Sequence, residues 1–241
     1  MKHDFLDKYS NLNSLIHKLD PRTKIIAFLL FIIFVITTPP LKFQLFALYA
    51  IVIFAVAFIS KVPFFYLLKR ALVIIPFVLL IAIFLPFMKT NQYGWLLFCN
   101  VMTKSLLALL ATIMLSSTTK FHVLLKGFEL LKCPKIIIMM LAFMYRYIFI
   151  LTDEAHKMER ARKSRYFGGE IWRQFKIICN IIGLLFIRAF ERGERVYQSM
   201  AARGFNGNII TYNQLAFSKN DLFFFIIFIS SITLIKLWSA M

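Results

Sequence analysis

Apolar residues gather in long, nearly unbroken runs at about 25–38, 43–59, 71–87, 95–115 and 222–238, with short polar stretches between them. An α-helix rises 1.5 Å per residue, so about 20 apolar residues cross a bilayer, and about 17 suffice where polar residues anchor the ends. These five runs are predicted to be transmembrane helices. A further run at 136–151 and a weaker one at 177–190 must be read together with the charges around them.

From Leu151 the apolar spacing becomes three and four. Leu151, Ala155, Met158 and Ala161 form a narrow stripe among Asp153, Glu154, Lys157, Glu159, Arg160, Arg162 and Lys163. That period fits a helix and excludes strand alternation. Gly168-Gly169 ends it. A second helix is predicted over 173–203, with Phe186, Phe190, Gly193, Tyr197 and Met200 on one face, Arg188, Glu191, Arg192, Glu194 and Arg195 around it, and Gly204 as its C-cap. The two ends are alike: Ser164-Arg165-Tyr166-Phe167-Gly168-Gly169 and Ala202-Arg203-Gly204-Phe205-Asn206-Gly207 superpose at an offset of 38 residues. Two readings fit this small repeat. Either both are basic helix ends that complement a negative terminus or anionic lipid, or each presents an arginine to one of two similar partners.

Basic residues sort the loops. With residues 1–24 on the cytoplasmic side (Lys2, Lys8, Lys18, Arg22, Lys24), the first external loop holds Lys42, the next internal one Lys61, Lys69 and Arg70, and the second external one Lys89. Lys120, Lys126, Lys132 and Lys135 then mark a return to the inside. Residues 152–203 carry eleven Lys or Arg against six Asp or Glu, so they too are expected inside. The run 136–151 then cannot cross once; it is expected to be buried against protein or to return to its own side. Arg146 in its middle fits, because a lone arginine facing lipid is costly. The predicted architecture is an all-α integral membrane protein of about five transmembrane helices plus long cytoplasmic helices. Residues 1–135 hold the first four transmembrane helices, 136–215 the basic helices, partly membrane-buried, and 216–241 the last transmembrane helix.

Composition narrows the function classes. Of 241 residues, 60% are hydrophobic and 17% charged, and with 28 phenylalanines and a mean hydropathy of +0.75 this is no soluble domain. The net charge of +18 is what Lys- and Arg-rich cytoplasmic loops leave behind, so membrane lipid is the expected partner and nucleic acid is not. Cys99, Cys133 and Cys179 are far apart and odd in number, which leaves neither a disulfide framework nor a Cys-x-x-Cys pair. The polar first 24 residues do not read as a cleavable leader. No Gly-x-x-x-x-Gly-Lys-[Ser/Thr] loop occurs, so the chain is not expected to hydrolyse ATP. His3, His17, His122 and His156 are scattered, so no metal-ligand set and no cofactor are expected. The five runs hold no Asp or Glu to carry a coupling ion, Lys104 being the charge well inside them, which disfavours secondary active transport. A membrane enzyme would need a nucleophile with its base, or a metal, and neither is visible.

A membrane chain without an energy site, but with two matched basic helix ends, suggests energy supplied from outside. Here the residues carry a resemblance. Leu19-Asp20-Pro21-Arg22-Thr23-Lys24 before the first run, Thr118-Thr119 with Phe121, Tyr145-Arg146-Tyr147 followed by Glu154, and the two arginine ends resemble the transmembrane T components of energy-coupling factor (ECF) transporters. The stretch Phe190-Glu191-Arg192-Gly193-Glu194-Arg195-Val196-Tyr197-Gln198-Ser199-Met200-Ala201-Ala202-Arg203-Gly204-Phe205 is similar to the cobalt and nickel branch, the CbiQ-like proteins, more than to the vitamin branch. The resemblance covers nearly the whole chain.

It implies a non-catalytic scaffold in a bacterial or archaeal type of cell membrane. The scaffold's cytoplasmic coupling helices would sit between two ABC-type ATPases and a substrate-binding membrane subunit, and pass ATPase motion to it in a cobalt or nickel importer. Family members carry two Ala-Arg-Gly-like motifs, one ending each long coupling helix, that dock in grooves on the ATPases. Carried over, one is Ala202-Arg203-Gly204, a full match. The other is Ser164-Arg165-Tyr166, which keeps the arginine and replaces both neighbours; Tyr166 takes a positive φ less easily than glycine. The alternatives are a vitamin importer, and a membrane scaffold or insertase that uses the basic region for ribosomes or anionic lipid. The balanced Glu/Arg pattern of 188–195 argues for docking to protein.

Overall fold

A computed structural model describes residues 14–39, 43–87, 94–165, 171–207 and 217–240. Among them the regular structure is helical: α1 (Pro21–Thr37), α2 (Phe43–Ser60), α3 (Phe64–Ala82), a 3₁₀ turn (Leu85–Phe87), α4 (Gly94–Thr118), α5 (Phe121–Leu130), α6 (Lys135–Ser164), α7 (Ile171–Ala202) and α8 (Lys219–Ala240). Helix is what such a sequence must form in lipid, because no water is there to take up backbone N–H and C=O groups. The chain is an all-α membrane protein. Its helices fall into two compact units, α1–α5 with α8, and α6 with α7.

In the first unit α1 is central, packed by α4, α5 and α8. Its Ala27, Phe28, Phe31 and Val35 are at most 1% exposed. Phe31 meets the ring of Tyr49 on α2 edge-on, with centroids 5.7 Å apart, and Phe28 and Phe31 lie 5.9 and 6.1 Å from Phe228 on α8. Lipid tails are as apolar as these side chains, so close packing rather than expulsion of water holds the unit together; each aromatic pair adds about 0.5–1.5 kcal/mol to that packing.

Polar contacts fix the helix directions. The start of α1 touches the start of α8 through Asp20 and Asp221, and the end of α1 touches the last turns of α8 through Thr37 and Lys236, so the two are parallel. The end of α4 lies at the start of α1, where Lys24 reaches Thr118, and Lys104 of α4 reaches Ile36 at the end of α1, so these two are antiparallel.

Two elements differ from the sequence expectation. The third helix starts at Phe64, seven residues before the run at 71–87, and stops at Ala82, the 3₁₀ turn taking up Leu85–Phe87. Lys69 and Arg70, expected in a loop, lie in its second turn. Arg70 donates from Nη1 to the Tyr66 hydroxyl at 2.9 Å, one turn back, and long aliphatic stems let such heads reach a polar end while the helix stays in an apolar setting.

The second difference is α6, one unbroken helix of 30 residues that joins the run 136–151 to the charged stretch after it. No residue of α6 is buried by the rest of this chain, and the helix runs from the apolar half into the charged half without a turn. By length and composition α3, α4, α6 and α8 are each able to cross a membrane; Gln44–Ser60 of α2 is a shorter apolar helix, and α1 has 17 residues.

Candidate functional site

The two arginines matched in the sequence repeat occupy the same position on their helices. Arg165 is the C-cap of α6, with φ −104° and ψ 0°, and its N–H donates to the Arg162 carbonyl at 3.1 Å. Arg203 is the first residue beyond α7, and its N–H donates to the Met200 carbonyl at 3.0 Å. Both are exposed, as are Ser164 and Ala202. A helix C-terminus is its negative end, so a cation is favoured there, and α6 adds Arg162 and Lys163 in its last turn.

After Arg203 the chain reverses at once. Gly204 takes φ +76° and donates to the Ala201 carbonyl at 3.0 Å, while the Phe205 N–H donates to Met200 at 3.1 Å. These two bonds are a Schellman motif, and only glycine adopts that φ without steric penalty. Arg203 is thereby fixed at the tip. Tyr166, with Gly168 and Gly169, lies outside the described residues.

Within their unit α6 and α7 meet through an ion pair from Arg188 Nη1 to Glu154 Oε1. On one side of that pair a largely apolar groove of about 360 Å³ opens, lined by Met140, Met144 and Tyr147 of α6 and by Ala189, Arg192 and Gly193 of α7, among others. Residues early in α6 thus face residues late in α7, and the helices run in opposite directions. The arginine tips lie on opposite sides of the ion pair, roughly 16 Å from it along α6 and 22 Å along α7 at 1.5 Å per residue. Glu154 and Tyr147, singled out in the sequence, sit at the crossing and in the groove.

The other sequence motifs come together in the first unit. Asp20 is the N-cap of α1: its Oδ1 accepts the Arg22 N–H at 2.9 Å, and Pro21 stands at the first helical position, where a missing N–H is harmless. Thr23 Oγ1 donates to the Asp20 carbonyl at 2.7 Å. Lys24, 1% exposed, donates from Nζ to the carbonyls of Thr118 and His17, both at 3.2 Å, and to Thr119 Oγ1 at 3.5 Å. Asp20-Pro21-Arg22-Thr23-Lys24 and Thr118-Thr119 are therefore one buried polar knot.

The sequence reading missed the residue that closes the knot. Asp221, 2% exposed, accepts the Ser218 N–H on Oδ2 and the Asp20 N–H on Oδ1, each at 2.7 Å. Its charge and that of Asp20 act on Lys24. A signal was available, since Ser218-Lys219-Asn220-Asp221 before an apolar run is a capping box with Asp in place of Glu.

Lys104 resolves in the same terms. Its Nζ donates to the carbonyls of Ile36 and Thr38 at 2.8 and 2.7 Å, capping the C-terminus of α1, where Lys236 also donates to Thr37 Oγ1 at 3.0 Å. The antiparallel pair α1 and α4 thus cap each other: Lys24 of α1 serves the last carbonyl of α4, and Lys104 of α4 serves the last carbonyls of α1. Among the described residues no three His, Cys, Asp or Glu side chains gather as a metal site.

Comparison with known proteins agrees with this arrangement. Residues 12–212 match the family model CbiQ, described as cobalt transport protein. The energy-coupling factor transporter transmembrane protein EcfT of Bacillus subtilis is 28% identical over 242 residues, covering 90% of this chain and 91% of its own. The EcfT of Heliobacterium modesticaldum is 30% identical over 231 residues, 86% of each chain. An uncharacterized protein of Methanocaldococcus jannaschii is 26% identical over 228 residues, 85% of this chain and 76% of its own. With the polar knot, the paired long helices and a family match over most of its length, the chain belongs to the CbiQ family of energy-coupling factor transporter transmembrane proteins.

Proposed function

We propose that this chain is the non-catalytic coupling subunit of an ECF-type ABC importer, that Arg165 and Arg203 dock it onto two ABC-type ATPases, and that its cargo is cobalt(II) or nickel(II), held by a separate substrate-binding membrane subunit. The observation that carries the reading is the equivalent placement of the two arginines, each an exposed C-cap on one of two long helices in one unit. A guanidinium offers five donors in a rigid fork, suited to carboxylates and backbone carbonyls in a partner's groove. Ser164 and Ala202 flank the arginines without bulk, and Gly204 turns the chain away from the second tip. When the ATPases close on ATP, two tips on one crossed helix pair move together, and the Glu154–Arg188 pair ties their motions.

Affinity co-purification in detergent with the neighbouring ABC ATPases tests the reading. Wild type is expected to capture the ATPases in moderate salt, and Arg165→Glu/Arg203→Glu to lose them; a contact made by charge alone would already weaken at that ionic strength. Capture by neither protein would overturn docking and favour a membrane scaffold. ATP-driven uptake of radiolabelled cobalt(II) or nickel(II) by the assembled complex tests the cargo, and uptake of neither removes the metal assignment.

A further inference from the structure

The first unit is joined to the α6–α7 unit by the chain at two places, after α5 and before α8. Both connections are rooted at the first turn of α1. The helix α5 follows Thr118 and Thr119, which Lys24 holds, and it rests on α1 so closely that a Cβ at Gly127 would lie 2.9 Å from Ile25 Cδ1 and 3.1 Å from Pro21 Cβ. The other connection arrives at Ser218, whose N–H is held by Asp221, and Asp221 in turn holds the Asp20 N–H.

A helix cap would account for only half of this. Capping the start of α8 asks of Asp221 only that it accept the Ser218 N–H. The second oxygen, spent on a backbone N–H 201 residues away beside a buried lysine, ties the returning chain to the helix at the centre of the unit. Charge-assisted hydrogen bonds are short and about twice as strong as neutral ones, and in a dry setting they resist stretching.

We propose that Asp221 is a positioning residue for energy coupling: displacement of the α6–α7 unit enters the membrane core through the Ser218–Asp221–Asp20 link and the Lys24 bonds beside it. The inference rests on the coupling function proposed above. The lysine at the far end of the same helix pair, Lys104, caps α1 with comparable bonds but stands on neither connection, so it serves as the control.

Hydrogen–deuterium exchange on the complex with its ATPases, without nucleotide and with ATP plus orthovanadate, reads the link directly. Wild type and Lys104→Met are expected to show nucleotide-dependent exchange both in α6–α7 and in residues 14–24, 114–131 and 217–224. Asp221→Asn keeps the change in α6–α7 and loses it in 217–224 and 14–24, while it still captures the ATPases. Should Asp221→Asn not assemble, Ser218→Pro removes the N–H that Oδ2 accepts and is expected to give the same loss at 217–224. A nucleotide response that still reaches 217–224 in the variant that assembles overturns the role of Asp221 and leaves the coupling function standing. Failure of the wild-type chain to capture ATPases overturns the coupling function, and this inference with it.

Discussion

Lys24 and Lys104 are both lysines that cap a helix C-terminus, yet their surroundings give them different weight. Lys24 is buried, feels the charges of Asp221 and Asp20, and serves three oxygens from two segments. Removing it leaves Asp20 with Arg22 alone, Nε to Oδ1 3.9 Å, and takes from the buried Asp221 the cation its charge acts on, a loss of at most about 3–5 kcal/mol, that of a broken buried pair. Lys104 stands at a partly exposed helix end with no carboxylate to strand, so its loss costs about 1 kcal/mol or less. Thermal unfolding of Lys24→Met and Lys104→Met in the same detergent is expected to show the larger fall in Tm for Lys24→Met. Equal falls would mean that the carboxylates contribute nothing and that both lysines act as simple caps. The roles of these two residues were not legible in the sequence, where each is one cation near or inside an apolar run. What decides between snorkelling and capping is which helix end lies beside it, and helix neighbours are a tertiary fact.

At the scale of elements, a glycine in α7 and one just past its end make opposite predictions. Gly193 lines the groove with open space around its missing Cβ, so Gly193→Ala gains helix propensity without a clash and is expected to stabilise α7 by about 1 kcal/mol. Gly204 is at φ +76°, where an L-residue is strained, so Gly204→Ala is expected to cost about 1 kcal/mol and to fray the tip that holds Arg203. Circular dichroism during thermal unfolding reads the sign of each, and weaker capture of the ATPases by Gly204→Ala alone would tie the Schellman turn to docking. This end of α7 was legible because a single residue type meets a single backbone requirement. The start of α3 was not. Hydropathy scores side chains one at a time and stops at Lys69 and Arg70, whereas a helix continues as long as its backbone bonds do and its long side chains can bend away. For the same reason α6 was read as two pieces: the change from an apolar run to a narrow stripe is a change in what covers the helix, and its hydrogen bonds run through unbroken.

For the whole molecule, the parallel pairing of α1 and α8 is the constraint that sequence charge counting could only anticipate. Both helices start at the knot, so the chain that leaves α5 at that end must return to the same end after α6 and α7. Either neither of those two helices crosses the membrane or both do, and the apolar first half of α6 makes the choice a real one. The docking proposed above makes the choice. If α6 crossed once, Arg165 and Arg203 would lie on opposite sides of the bilayer, and ATPases on one side could meet only one of them. In a variant with Cys99, Cys133 and Cys179 replaced by serine, cysteines introduced at the exposed positions Pro39, Ser164 and Ser199 can be probed with a membrane-impermeant maleimide. Pro39→Cys, at the end of α1 away from the knot, is expected to label in intact cells. Ser164→Cys and Ser199→Cys are expected to label only after permeabilisation, which places both tips with the knot on the inside, where the Lys- and Arg-rich segments belong. Labelling of Ser164→Cys in intact cells with Ser199→Cys protected would put α6 across the membrane, separate the two arginines, and remove the paired docking on which the coupling function depends.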